Sequence, residues 1–140
     1  RGTSEFGAGS YIWEYNKSHY ADIHPAFLRG RAAIVNNDRA ELEEQAIFIR
    51  TEMEKALANA ALGYLDKWKT GATDADRAHA IGEGLGFIYS LRFATVHGGD
   101  AAFSDAVLED LIGSENGYWD ITAEKVSAAT EAIQEKFSLL

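Results

Sequence analysis

The stretch that decides the fold lies at residues 38–69 and reads DRAELEEQAIFIRTEMEKALANAALGYLDKWK. Its apolar residues recur at alternating intervals of four and three positions, which places them on one stripe of a helix. That stripe consists of Leu42, Ala46, Ile49, Met53, Leu57 (or Ala56), Ala60, Tyr64 and Trp68. Asp38 followed by Glu41 is typical of a capped helix start, and Gly71 is typical of a stop. The stretch therefore predicts one long helix.

A second helix is predicted directly after the first, over residues 74–97. Thr73 and Asp76 have the spacing of a capping box, and Gly98 with Gly99 would end the helix. Apolar residues again follow the helical period through this segment. We expect the two helices, 38–69 and 74–97, to pack as a long antiparallel pair.

Shorter helices are predicted on either side of this pair. The upstream helix would begin at Pro25 and end at Asn36-Asn37, because proline is tolerated at the first helical position. Asp100 can cap a helix that Gly113 closes, and Asp120 or Thr122 can cap the last one. No stretch alternates apolar and polar residues over five or more positions, as a strand would. The predicted fold class is therefore an all-α helical bundle of five to six helices.

Composition limits the function classes. The chain has 140 residues with 13 basic and 22 acidic side chains, a net charge of −9, which argues against nucleic acid as a partner. It contains no cysteine, so disulfides and thiolate sites are excluded, and no apolar run is long enough for a transmembrane segment. Residues 1–10, RGTSEFGAGS, resemble an expression-vector scar. We expect residues 11–140 to form a single domain cut from a longer protein.

His79 and Glu83 are the candidate metal ligands. They are one helical turn apart, so both side chains lie on one face and can ligate one ion or share a proton. A complete site needs one or two more ligands, for which His19, His24 and His97 are candidates. The alternative interpretation is a buried polar pair that hydrogen-bonds between helices and serves stability alone.

Three glycines interrupt the second predicted helix, at positions 82, 84 and 86. They lack the preceding strand and the spacing of a nucleotide-binding loop. Because each costs roughly 1 kcal/mol against alanine inside a helix, something must offset them. We expect a close approach of a helix, or of a ligand, to Gly82 and Gly86, which share one face.

The segment 100–124 is strongly acidic. It carries seven acidic residues and no lysine or arginine, and it could meet a basic protein partner or simply be solvated. A calcium loop centred on Gly117 fails, because Ile112 and Ala123 would occupy its two end positions. Trp13 and the pair Tyr118-Trp119 fall outside the apolar stripes and are candidates for a carbohydrate or hydrophobic groove.

Three stretches resemble a bacterial domain family of unknown function, DUF4856, and match its C-terminal half. They are residues 30–38 (GRAAIVNND), 79–93 (HAIGEGLGFIYSLRF) and 116–122 (NGYWDIT). That family is similar to the imelysin-like proteins, exported helical-bundle proteins linked with iron acquisition. The resemblance implies a periplasmic, cell-surface or secreted location and a role with a divalent metal, iron or haem. The imelysin-like G-x-H-x-x-E motif is not reproduced, since Glu83 stands one residue further from His79 and Arg77 replaces the glycine.

The sequence leads to three hypotheses about function. The first is a non-enzymatic binding or interaction domain of an exported bacterial protein, which the resemblance links to metal or haem uptake; no catalytic residue is assigned. The second is a metal-dependent enzyme built in the bundle core, and the third is a purely structural module. If the chain is a fragment, an exposed apolar face would favour a homodimer or an exchange of helices between chains.

Overall fold

The computed structural model describes residues 11–12, 14–15 and 23–139, and in these residues it contains helices and turns but no strand. From residue 23 to residue 139 the helices are α1 (Ile23–Val35), α2 (Arg39–Thr70), α3 (Asp74–Ser90), α4 (Ala101–Ile112) and α5 (Ala123–Phe137). Short 3-10 turns lie at Leu91–Phe93, Thr95–His97 and Gly117–Asp120. The predicted all-α class is confirmed. None of the helices in this part of the chain is both long and apolar enough to cross a membrane.

The helix starts follow the predicted capping residues. The Glu41 amide donates to the Asp38 carboxylate over 3.1 Å, and Thr73 and Asp76 form a reciprocal capping box. The Phe103 amide donates to Asp100 over 2.8 Å. At the last helix, Thr122 rather than Asp120 is the cap. Each cap satisfies amides that the first helical turn leaves without a partner, which fixes where these helices begin.

Two predicted helix boundaries are wrong. The upstream helix begins at Ile23, so Pro25 is its third residue, where a missing amide hydrogen still costs no helical hydrogen bond. Helix α3 ends at Ser90 instead of residue 97. Ala94 leaves the helical conformation with ψ 62°, and Gly98 is left-handed with φ 68°. The Gly99 amide then donates to the Ala94 carbonyl over 2.8 Å, which folds the chain back before α4.

The chain divides into two compact units, with the boundary inside α2 between Ala56 and Leu57. In the first unit, α1 and the start of α2 form a helical hairpin. A Cβ added at Gly30 would lie 3.7 Å from the Gln45 side chain, so the two helices approach closely there. The small core of this unit contains Tyr15, Ile23, Ala26, Ile49 and Ala56. The prediction that residues 11–140 form one domain stays a prediction.

The second unit contains the larger core. Trp68 lies beside Arg77 and Tyr64 beside Gly84, so the end of α2 and α3 are antiparallel. Helix α4 packs against both α3 and α5. The largest side chains buried together are Leu65, Ile88, Leu91, Leu111, Val126, Ile133 and Phe137. Each contributes about 1.5 to 3 kcal/mol relative to an exposed position, so this cluster holds the second unit together.

Candidate functional site

His79 and Glu83 lie on an exposed face of α3. Neither side chain forms a hydrogen bond or ion pair within the described residues, so the buried polar pair considered above is not present there. No group of three His, Asp or Glu side chains in this part of the chain could hold a metal ion. His24 is on α1 in the first unit, His97 packs against Phe137, and His19 lies outside the described residues. Metal binding through His79 and Glu83 stays a prediction.

The three glycines of α3 lie in different surroundings. A Cβ at Gly82 or Gly86 would meet nothing within 4 Å, whereas one at Gly84 would lie 3.3 Å from the Tyr64 Cβ. The expected helix approach to Gly82 and Gly86 is therefore wrong within the described residues, because α2 approaches the opposite side of α3. Approach of a ligand to Gly82 and Gly86 stays a prediction.

The acidic segment 100–124 uses several of its carboxylates locally. Asp100 caps α4, Asp105 pairs with Arg92, and Asp120 accepts hydrogen bonds from Asn116. The Glu124 amide and the Thr122 hydroxyl lower the pKa of the Glu124 carboxyl. Part of the charge is therefore explained by the local structure, and a basic partner for the remaining acidic face stays a prediction.

A concave apolar surface forms a groove in the first unit, between α1 and the beginning of α2. Its volume is about 520 Å³. The side chains that line it are Phe27, Gly30, Arg31, Ile34, Leu42, Gln45, Ala46, Ile49, Arg50 and Met53. On each helix these residues recur at intervals of one, three and four positions, so two helical stripes face the same open space. Gly30 deepens the groove because it carries no side chain between them.

A polar network fixes the floor of the groove. Gln45 is buried, and its amide oxygen accepts a hydrogen bond from Arg29 Nε over 3.1 Å. The Gln45 amide nitrogen donates to the Glu41 carboxylate over 3.1 Å. Because both ends of the buried amide are satisfied, the network ties α1 to α2 without a desolvation penalty. These hydrogen bonds thus hold the groove in a defined shape.

The groove lies in an unusually apolar surface. Phe27, Leu28, Ile34, Val35 and Ile47 are all more than half exposed, and all belong to the first unit. Only Phe27 and Ile34 among them line the groove. Single exposed apolar residues are ordinary, but large ones exposed at a groove mark an interaction surface. Sequence analysis found the α2 stripe but predicted no groove from it. The matching stripe of Phe27, Gly30 and Ile34 on α1 has the same helical spacing and was the signal that would have located the groove.

Tyr15 belongs to the core of the first unit. Its ring is buried, and burial together with the adjacent Glu52 carboxylate, which accepts its hydroxyl hydrogen bond, raises the pKa of Tyr15 to about 12. Glu52 also accepts a hydrogen bond from Lys55 over 3.4 Å. The phenol therefore serves here as a hydrogen-bond donor that stays protonated well beyond neutral pH.

Fold and groove define the class: an all-α domain with a shaped, exposed apolar surface. The chain belongs to the family described as Domain of unknown function (DUF4856), whose model matches residues 10–140. Neither a search of curated proteins nor a search of solved structures found a match. The resemblance to DUF4856 predicted from the three sequence stretches is thereby confirmed.

Proposed function

We propose that this chain is a non-enzymatic interaction domain that associates with a second copy of itself through the groove of the first unit. The observation that carries the proposal is the exposure of Phe27 and Ile34, 55% and 62%, at the rim of a groove with a fixed floor. Leaving such side chains in water forgoes the free energy that burial against a partner would supply. A binding surface explains why these large apolar side chains are exposed.

The charges of the two helices favour a second copy as the occupant. Helix α1 carries His24, Arg29 and Arg31 and no acidic residue. The facing part of α2, residues 39–54, carries five acidic residues and two arginines. In a two-fold dimer the surface of one copy meets the same surface of the other. Placing each α1 on the partner's α2 brings positive charge against negative charge at both ends.

The shape of the groove fits the same arrangement. Two helices that present parallel apolar stripes leave room for a further helix pair, and four helices packed in this way bury their stripes in a common core. Arg31 lines the groove and has no ion pair within the described residues, so a carboxylate of the incoming α2 could pair with it. An exchange of α1 between two chains would form the same contacts between copies.

The test compares two neighbouring substitutions by light scattering after size exclusion. Ile34→Glu places a charge in the groove, whereas Val35→Glu places one on the adjacent residue, which is 74% exposed and lies outside the groove lining. At high protein concentration we expect the unmodified chain and Val35→Glu to approach the mass of two chains and Ile34→Glu to keep the mass of one. A dimer that survives Ile34→Glu, with circular dichroism unchanged, would show that a different surface is used.

Iron or haem uptake by an exported bacterial protein is a second candidate role. Support comes from the resemblance to imelysin-like proteins and from one observation, the exposure of His79 and Glu83 beside the open space at Gly82 and Gly86. An ion reaching this face would meet two ligand side chains and would need further ligands from elsewhere. A periplasmic, cell-surface or secreted location belongs to the same proposal.

A further inference from the structure

A small cleft in the second unit brings together aromatic and charged side chains from three segments. The 3-10 turn Gly117–Asp120 contributes Tyr118 and Trp119, the end of α2 contributes Trp68, and the start of α3 contributes Asp74 and Arg77. The cleft has a volume of about 120 Å³. It lies in a different unit from the apolar groove and shares no residue with it.

The aromatic wall is held in place by its own turn. Gly117 has φ 59°, a conformation that glycine adopts easily, and the Asn116 side chain donates to the Asp120 carboxylate over 3.1 Å. The Tyr118 and Trp119 rings lie 4.4 Å apart, yet 68% of Trp119 remains exposed. The turn therefore holds an indole in the lining of the cleft and leaves most of its surface accessible to a ligand.

The opposite wall supplies a hydrogen-bond donor and an acceptor. Arg77 lies 5.9 Å from the centre of the Trp68 ring, and its Nε donates to the Gly71 carbonyl over 3.1 Å. This bond orients the guanidinium and uses one of its five N–H groups. Asp74 stands one helical turn before Arg77 and offers carboxylate oxygens to the same cleft.

From these contacts we infer that the cleft binds a neutral pyranose sugar. The faces of a sugar ring carry C–H groups with partial positive charge, which pack on the negative face of an aromatic ring. The hydroxyl groups at the edge of the sugar ring both donate and accept hydrogen bonds. Asp74 would accept from one hydroxyl and Arg77 would donate to its neighbour. A quaternary ammonium ion also packs on aromatic rings, but here Asp74 would attract it and Arg77 would repel it, so the two opposite charges favour a neutral ligand.

The size of the cleft sets the strength of binding. It contacts one ring and leaves the rest of the sugar in water, so a single glycoside is expected to bind with a dissociation constant on the order of millimolar. A terminal or exposed residue of a larger glycan would satisfy the same contacts.

Saturation-transfer NMR on the purified chain tests the inference. The probes are the methyl glycosides of β-glucose, β-galactose, α-mannose and β-N-acetylglucosamine, with choline as the competing ligand class. We expect transfer to the ring C–H groups of at least one glycoside and shifts of the Trp68 and Trp119 indole N–H signals. Trp119→Ala should weaken binding at least tenfold, Asp74→Asn should weaken it as well, and Phe93→Ala, which removes another exposed ring, should leave it unchanged.

Three outcomes would overturn the inference: no transfer to any glycoside, transfer that survives Trp119→Ala, or binding of choline in place of the sugars. Trp119 is mostly exposed, so its replacement is expected to leave the fold intact, and circular dichroism checks this. Asp74→Asn keeps the shape of the side chain and provides a second variant if the turn rearranges.

Discussion

A methyl group at Gly84 would lie 3.3 Å from the Cβ of Tyr64, so α2 and α3 approach each other closely at this glycine. The Tyr64 ring stacks on Phe87 beside it, with ring centres 5.6 Å apart. Gly84 itself is buried, whereas Gly82 and Gly86 are exposed. The three glycines therefore contribute differently to the stability of the fold, although they stand only two residues apart.

Alanine substitutions at the three glycines should change stability in different directions. Gly82→Ala and Gly86→Ala gain helix propensity with open space around the new methyl group, so each should raise the free energy of unfolding by about 0.5 to 1 kcal/mol. Gly84→Ala should lower it by about 1 kcal/mol, because the new methyl group presses on Tyr64. Urea unfolding followed by circular dichroism measures all three. Equal gains at the three positions would contradict the packing described here.

Arg92 should be the most sensitive surface-accessible arginine of the second unit. Its Nε donates to the Tyr89 carbonyl and to Ser104 Oγ, both over 3.1 Å, and its guanidinium also pairs with Asp105. Lysine cannot reproduce this fork, so Arg92→Lys should reduce stability by about 1 to 3 kcal/mol. The control is Arg39→Lys, whose pair with Glu43 is exposed and should change stability by less than about 0.5 kcal/mol. Similar losses at both positions would be inconsistent with a structural role for Arg92.

Alkaline pH should weaken the first unit through Tyr15. The pKa of Tyr15 is raised to about 12 in the folded chain, against 10.0 without the protein environment. Its stabilising contribution is complete below pH 10 and is lost as pH rises from 10 to 12, because only the unfolded chain has then released the proton. Urea unfolding between pH 9 and 12 measures this loss. Tyr15→Phe should remove it from the pH profile, whereas Tyr89→Phe, at an exposed ring, should not.

Removing the candidate metal ligands should have little effect on the metal-free chain. His79 and Glu83 are exposed and make no hydrogen bond within the described residues, so the double variant His79→Ala/Glu83→Ala should stay within about 0.5 kcal/mol of the original. Thermal unfolding is then run with chelator, calcium, zinc, ferrous and ferric iron, and haem. Under the uptake proposal one of these raises the midpoint by several degrees, and the double variant abolishes the shift. If none moves the midpoint, the metal and haem role is rejected.

The sequence predicted the helix starts well because a cap is a local interaction. Asp38 with Glu41 and Thr73 with Asp76 lie three residues apart, so both partners are visible in one short window. The end of α3 is different in kind. There the Arg92 side chain reaches Ser104 on α4, a contact across twelve residues that requires α4 to be packed in place. Sequence spacing alone does not contain that information.

The candidate site illustrates the same division. Periodicity placed Gly82 and Gly86 on one face of α3, but their spacing alone does not tell which face packs against a neighbouring helix. Gly84 falls three residues after Ile81 and four before Ile88, and all three are buried, so the apolar stripe itself held the answer. The groove was missed for a related reason. An apolar stripe predicts burial, and only the packing of α1 against α2 shows that part of it stays in water.

Sedimentation equilibrium of the unmodified chain tests the central claim most directly. The groove is proposed to pair two copies, so the weight-average mass should rise with concentration from that of one chain to that of two between about 1 and 500 µM, a range typical of interfaces of modest size. High salt should shift the midpoint to higher concentration, because opposite charges of α1 and α2 contribute. A mass that stays at one chain over the whole range would contradict the proposal.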